Sequence, residues 1–396
     1  VEHLLDFGDQ PVVNKLRDRS DERVGLHPMR VGGCTQCGLV QLTEPVDPHE
    51  FYTDYATPSS WKHEPHLGQL LSYLEGAIAR DARILEVGCN DGKFLDRLRE
   101  LGWTDLSGLE PTGNTSSTAI QRGFRVHNRT LDTATASALI DEHGPWDCVV
   151  LRQVLEHVSD LRDFGTALHR LLREDGLLVI EVPDSRTNIE GLDYGLWEEH
   201  VNCFTPESLD RFLVGHGFRA VHTYTSIFSG VCLTVVARKT ARTADAGRLD
   251  GPEREASLHG EVARFREWSR AFPGFRDAVH EEVRRSADLG DVVLYGVGAR
   301  SSTFVNILGL APYIAYAVDD QLEKQRKYMP QSGLAIHPSE HMASLGRRLG
   351  LVMLGVNCEN EEAVLCRGSI PPDVRCASVL PPSPRLMEAW SRSLSR

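Results

Sequence analysis

From residue 62 to about residue 240, short apolar runs alternate with stretches whose apolar positions recur every three or four residues. The runs predict buried strands, and the stretches predict helices packed against them. Leu67 to Ile78 reads as a helix, Arg83 to Val87 as a strand, Lys93 to Leu101 as a helix and Leu106 to Glu110 as a strand. Thr115 to Arg122 reads as a helix, Cys148 to Arg152 as a buried strand, Leu161 to Leu172 as a helix and Gly176 to Val182 as a strand. Such alternation predicts a mainly parallel sheet with helices on both faces. Residues 239 to 253 lose the periodicity and read as a linker. A long amphipathic helix follows, from about Arg254 to Leu289, with an interruption near Pro273. A second α/β unit opens at Val292 to Arg300 and continues through Tyr313 to Asp319 and Leu349 to Leu354. Residues 1 to about 60 are short of helical periodicity and rich in turn residues. The expected fold class is α/β, with units at 1–60, 61–240 and 254–396.

The turn after the first strand of the larger unit, Gly88-Cys89-Asn90-Asp91-Gly92, carries the chemistry. Residues without a Cβ let a ligand lie against the strand end. Glu110 ends the next strand, where an acid can hold the two hydroxyls of a ribose. A dinucleotide site would read G-x-G-x-x-G and seat a pyrophosphate on the helix N-terminus. Here Glu86 and Asp91 would repel that group. A cofactor with a cationic amino-acid end suits the turn, and S-adenosylmethionine is such a cofactor. The expected contacts are Glu86, Gly88, Cys89, Asn90, Gly92, Glu110 and the adjoining Pro111, with Arg152 and Gln153 bordering the cleft at the end of the fourth strand. A ligand-free Rossmann-type core is the alternative.

The net charge of −13 argues against a nucleic-acid-binding surface, which needs a basic footprint. No run approaches the roughly 18 apolar residues of a membrane span, and no charged-then-apolar leader opens the chain. Nine cysteines, an odd count, fit reduced thiols and a cytoplasmic location. Cys34 and Cys37 have the spacing that brings two thiolates onto one Zn²⁺; the alternative is two free cysteines in a loop.

The stretch from Glu86 to Glu110, with Val154-Leu155-Glu156-His157 and Gly176-Leu177-Leu178-Val179-Ile180-Glu181-Val182-Pro183, resembles the class I S-adenosylmethionine-dependent methyltransferases. More narrowly, the chain resembles the three-domain C-methyltransferases that act on dTDP-linked keto-deoxysugars in antibiotic biosynthesis. Leu5 to Pro11 and Cys37 to Leu42 match that family's N-terminal metal module; Tyr295 to Arg300, Val318 to Asp320 and Lys324 to Tyr328 match its C-terminal domain. The resemblance implies a small zinc-binding module, a class I methyltransferase Rossmann-like domain and a second Rossmann-like domain. It makes His200 the general base with Glu199 beside it, and His157 a donor to an enolate oxygen. It places Tyr55 over the cofactor cleft. A second Cys-x-x-Cys would precede Leu5-Asp6-Phe7-Gly8, upstream of Val1, with His3 and His27 as possible substitutes. Trp197 and Asn202 are expected at the acceptor. Gly298, Arg300, Asp319 and Lys324 are expected at its nucleotide, with Tyr328 nearby.

The chain departs from the family at three places. Trp197 and Cys203 stand where tyrosines are usual, and Ile227-Phe228-Ser229-Gly230-Val231-Cys232 replaces a His-Gly-Gly-Ser stretch. The expected reaction removes a proton from a carbon next to a ketone and methylates the enolate. The rivals are O- or N-methylation of another small natural product, a non-catalytic nucleotide-binding scaffold, and a dehydrogenase, which the acidic turn disfavours.

Overall fold

The computed structural model describes residues 1–47, 50, 64–192, 197–240, 252–344 and 348–394. Tyr55 lies outside them. The turn-rich start of the chain is not irregular: it folds as strands β1 (Glu2–Pro11), β2 (Leu26–Gly33) and β3 (Val40–Leu42). Their alternation was hard to see because β1 pairs with β2 through two register shifts, one spanning Gly8 at φ 71°. Such bulges break a period-two pattern.

The central sheet is built from β4 (Arg83–Val87), β5 (Asp105–Leu109), β6 (Arg125–His127), β7 (Trp146–Arg152) and β8 (Leu172–Pro183). Strand β9 (Asn202–Cys203) leaves this unit and pairs with β3, completing a four-stranded antiparallel sheet with the N-terminal strands. A hairpin of β10 (Phe218–Ile227) and β11 (Val231–Lys239) then closes the seven-stranded sheet in the order β10-β11-β8-β7-β4-β5-β6. Strands β4 to β8 pair in parallel and β11 is antiparallel to β8. The chain runs outward from β4 to β6 and then crosses to β7, so a ligand crevice forms at the carboxyl end of β4.

The predicted helices form close to their expected ends, the first at Leu67–Ala77 and the next at Lys93–Glu100. The long helix corrects an expectation: it runs Pro252–Ala287 without interruption, with Pro273 inside it. A proline in a helix interior costs about 3 kcal/mol. Here Val262, Phe265, Trp268, Phe272, Phe275, Val279 and Val283 make one buried stripe across that position, and their burial offsets the cost. The first half of the stripe meets the N-terminal sheet. Phe7 stacks edge-on against Phe272 at 5.3 Å, and a Cβ on Gly33 would stand 2.6 Å from the Phe265 ring. The second half meets the C-terminal sheet, where Phe275 packs on Trp390 at 4.8 Å.

That last sheet is fully parallel. It comprises β12 (Asp291–Tyr295), β13 (Ile314–Val318), β14 (Ile336–His337), β15 (Leu349–Leu354) and β16 (Cys376–Ser378), in the order β14-β13-β12-β15-β16. One continuous apolar core joins Leu4, Val31 and Cys203 to Phe265, Phe304 and Trp390. The N-terminal sheet and the C-terminal unit are therefore packed as one body through the long helix. No helix among the described residues is long and apolar enough to cross a membrane.

Candidate active site

At the end of β4 the chain turns through Gly88 (φ 73°), Asn90 (φ 48°) and Gly92 (φ 82°). The left-handed geometry at the two glycines is the reason they are glycines. The N–H groups of Gly88 and Cys89 both donate to the Leu109 carbonyl, at 2.7 and 3.2 Å. Glu110 braces the far side: Oε2 accepts from Asn90 N and Oε1 from Thr112 N, each at 2.9 Å. A carboxylate accepts about four hydrogen bonds, so Glu110 keeps capacity for a pair of hydroxyls. Asn128 Nδ2 holds the Glu110 and Pro111 carbonyls at 2.9 Å each. The Cys89 thiol presses on Gly108, where a Cβ would collide with it.

Glu86 lies beneath this turn with its Oε2 buried and without a hydrogen-bond partner. Burial raises its carboxyl to about 8. The Arg152 guanidinium lowers it, and Glu64, Glu110 and Asp91 push it further up. An orphaned buried acid among other acids fits the cationic amino-acid end of S-adenosylmethionine and does not fit a pyrophosphate. A cation seated there favours the carboxylate, so binding at pH 7 should release about one proton from Glu86. Calorimetry in two buffers of different ionisation enthalpy should show this release in the wild-type protein. It should be absent in Glu86→Gln, with affinity weaker by about tenfold. Burial also raises Glu198, to about 8. Both acids hold their protons above the ordinary 4.5 in the folded protein. Their share of the stability is complete below pH 4.5 and is lost as the pH rises through about 8.

Arg152 and Gln153 take a more buried position than the sequence suggested. The Arg152 guanidinium pairs with Glu64 and lies 3.5 Å from Glu181, over the Phe94 ring. Gln153 Nε2 donates to Glu181 Oε1 at 3.5 Å and meets Cys232 Sγ at 3.3 Å. Sequence reasoning missed the centre of this network, in which His66 Nε2 lies 3.4 Å from Glu181 Oε2 and its ring stacks on Phe228 at 4.2 Å. The available signal was Glu181 itself, an acid inside the otherwise apolar strand Leu177 to Val182, which demands a partner.

The turn after β7 faces the cofactor turn: a Cβ on Gly88 would stand 2.5 Å from Val154 Cγ2. Val154 opens the short helical turn Leu155–His157. The donor atoms of Glu156, His157 and His200 all lie within 4.8 Å of one another. His200 is buried, packs on Trp197 with ring centroids 3.5 Å apart, and meets His157 edge-on at 4.9 Å. His157 Nδ1 lies 2.7 Å from the Glu199 carbonyl oxygen. A carbonyl can only accept, so Nδ1 carries the proton. Burial lowers His157 to about 4, against the opposing hydrogen bond to Glu199, which leaves Nε2 as a bare lone pair near neutrality. That tautomer has no hydrogen at Nε2 to give an enolate oxygen. Glu199 Oε1 accepts from Asn14 Nδ2 at 2.8 Å, and Glu198 Oε1 from Val13 N at 2.7 Å. The Asn202 amide donates to the Val158 carbonyl at 2.7 Å and so anchors the His157 turn.

The residues expected at the nucleotide are engaged within the chain. Asp319 accepts from Val297 N at 2.8 Å and from Gln321 N at 2.9 Å. Lys324 Nζ donates to the Val297 carbonyl at 2.6 Å and lies 3.3 Å from Asp319 Oδ2. Gly298 N donates to Ser301 Oγ at 2.9 Å. An acid thus already takes an N–H that a phosphate would need. Arg300 is buried and donates to the Ser229 and Pro381 carbonyls at 2.9 and 2.8 Å, fastening the C-terminal unit to the β10–β11 turn.

Cys34 and Cys37 sit in the knuckle between β2 and β3, closed by Gly38 N to the Cys34 carbonyl at 2.8 Å. Burial raises the Cys34 thiol, but hydrogen bonds from Gln36 and Cys37 outweigh it and hold it below its ordinary value. Burial pushes Cys37 up to about 11. Two thiolates at this spacing would make half of a tetrahedral zinc set. Among the described residues no third His, Cys, Asp or Glu donor joins it.

Three family descriptions match the chain. "Putative zinc binding domain" covers residues 1–52, "Methyltransferase domain" residues 61–223, and "C-methyltransferase C-terminal domain" residues 229–354. The chain is 26% identical over 355 residues to the C-methyltransferase NovU of Streptomyces niveus, across 86% of this chain and 84% of that protein. It is 32% identical over 102 residues to the ubiquinone biosynthesis O-methyltransferase of Caulobacter sp. (strain K31), across 25% of this chain and 39% of that one. The crystal structure of the Burkholderia thailandensis 1,6-didemethyltoxoflavin-N1-methyltransferase aligns with TM-score 0.39 and 20% identity, over 51% of this chain and 96% of that one.

Proposed function

The chain belongs to the S-adenosylmethionine-dependent C-methyltransferases assembled from these three modules, and on that premise we propose that it methylates a carbon next to a carbonyl, in a nucleotide-linked keto sugar of specialised metabolism. S-adenosylmethionine supplies an electrophilic methyl on a sulfonium. Glu86 holds the cationic end, the Gly88–Gly92 turn gives it a bare backbone, and Glu110 accepts from the ribose hydroxyls.

His200 removes the proton from the acceptor carbon. His157 stands behind it with a lone pair at Nε2, placed to steady the imidazolium that forms. Trp197 packs on the His200 ring and limits its rotation. His200 is buried while His157 and Trp197 are half-buried, so the base is shielded from bulk water. Tyr55 is kept as a contact to the cofactor. Gly298 opens toward free space, where a Cβ would meet nothing within 4 Å; it remains the nucleotide contact in this reading, while Arg300, Asp319 and Lys324 shape the domain around it. Cys34 and Cys37 would supply two thiolates to a structural zinc.

The observation that carries the reading is the pairing of buried His200 with half-buried His157, joined through Val154 to the Gly88–Gly92 turn. The test is proton exchange. The protein is incubated in deuterated water with S-adenosylhomocysteine and a panel of dTDP-linked keto-deoxysugars. Deuterium should enter a carbon next to the ketone, and His200→Ala should abolish this. Methyl transfer without any such exchange, or to oxygen or nitrogen, would count against the carbon acceptor.

A further inference from the structure

We propose that the N-terminal module takes part in the reaction through Asn14, a positioning residue that keeps the Glu199 carboxylate ionised and aimed. The inference rests on the reading of the Trp197–His200 turn given above. Residues 12–17 form a wedge between that turn and the C-terminal unit. Two successive residues of the wedge serve two successive acids: Val13 N donates to Glu198 Oε1 at 2.7 Å and Asn14 Nδ2 to Glu199 Oε1 at 2.8 Å. Further along, Arg17 and Tyr328 exchange both backbone hydrogen bonds, at 2.9 and 2.8 Å. Arg17 Nη2 also donates to the Met329 carbonyl at 3.2 Å. Beyond the turn, Leu42 N donates to the Val201 carbonyl at 2.9 Å and β9 joins β3. The N-terminal module therefore grips the segment 198–203 at both ends.

Of the two contacts made to these acids, the Asn14 amide is the one that an N-terminal side chain supplies. Glu199 is 3% exposed whereas Asn14 lies on the surface, so the amide reaches inward to the acid. An N–H donated to a carboxylate favours its charged form. The groups around it pull in both directions. The Glu198 acid and the Glu199 charge oppose each other, while the cluster of Glu156, His157 and His200 meets Glu199 through its backbone carbonyl, which lies 2.7 Å from His157 Nδ1. Losing the Asn14 donor tips this balance toward the protonated acid. A charged Glu199 favours protonation of the neighbouring base, so proton removal weakens when that charge is lost.

The test compares the pH dependence of kcat for methyl transfer in wild type, Asn14→Ala and Asn14→Asp. The probe is whichever dTDP-linked keto-deoxysugar undergoes exchange in the panel above. Asn14→Ala should lower kcat by about tenfold. Asn14→Asp places a like charge on Glu199; it should lower kcat by about a hundredfold and move the acidic limb up by about one pH unit. S-adenosylmethionine affinity and Tm should stay at wild-type values. A rate loss with an unmoved acidic limb would show a merely structural contact and overturn the proposal, as would unchanged profiles in both variants. Glu199→Gln separates the two levels. If it keeps the wild-type rate, the reading of the turn fails. If it loses the rate while the Asn14 variants keep theirs, only the role of Asn14 fails.

Discussion

Replacing His200 with alanine should reduce methyl transfer by about 10³-fold, with S-adenosylmethionine affinity changed by less than about threefold. The contrast follows from where His200 sits. The proposed cofactor contacts come from the ends of β4 and β5, whereas His200 belongs to the turn before β9, beside the Leu155–His157 turn. Its ring nevertheless fills space against Trp197 and His157, so alanine also leaves a cavity that costs about 1–3 kcal/mol in stability. His200→Gln is the control, because it keeps volume and hydrogen-bonding capacity but cannot take a proton. Both variants should lose the rate alike while glutamine keeps more of the stability. A glutamine variant with near wild-type turnover would remove His200 from the chemistry.

The second large effect is expected at Gly88. Alanine there is strained twice, by φ of 73° and by a Cβ 2.5 Å from Val154 Cγ2. Relieving the contact moves Val154, and Val154 leads directly into the His157 turn. Gly88→Ala should therefore weaken S-adenosylmethionine binding by about a hundredfold and lower stability by about 1–3 kcal/mol. The double change Gly88→Ala with Val154→Ala removes the collision and leaves the backbone strain. It should recover part of the affinity, and the recovered part measures how far the two turns are mechanically joined. Wild-type binding in the single variant would mean that this turn is not the cofactor site.

The strands were legible where local pattern and burial agree. Arg83–Val87 and Leu349–Leu354 form at the residues their apolar runs mark, because strands buried on both faces need little context. Glu110 and the glycine turn were legible for the same local reason. Three features were not, and each depends on distant packing. Pro273 reads as a helix breaker until the stripe from Val262 to Val283 is seen buried along both halves of the helix. The strand Asn202–Cys203 is too short to show a pattern and exists only because Val40 and Gln41 pair with it. Asn14 is 185 residues from the acid it holds. The residues expected at the nucleotide depend on distant packing in a related way. Gly296-Val297-Gly298 with Arg300 resembles a phosphate turn, but Asp319 accepts the Val297 N–H and Arg300 turns to Ser229. Sequence shows which groups are present at such a turn, and only the fold shows which of them are already occupied by one another.

The reading as a whole turns on which atom receives the methyl group. The direct measurement is a reaction with S-adenosylmethionine carrying a ¹³C methyl and the panel of dTDP-linked keto-deoxysugars, followed by NMR that traces the bonds from the label. The account predicts a ¹³C methyl joined to the same carbon that exchanges deuterium, next to the ketone, formed by wild type and lost in His200→Ala. Label found on oxygen or nitrogen, or carbon methylation that proceeds at the wild-type rate in His200→Ala, would contradict it.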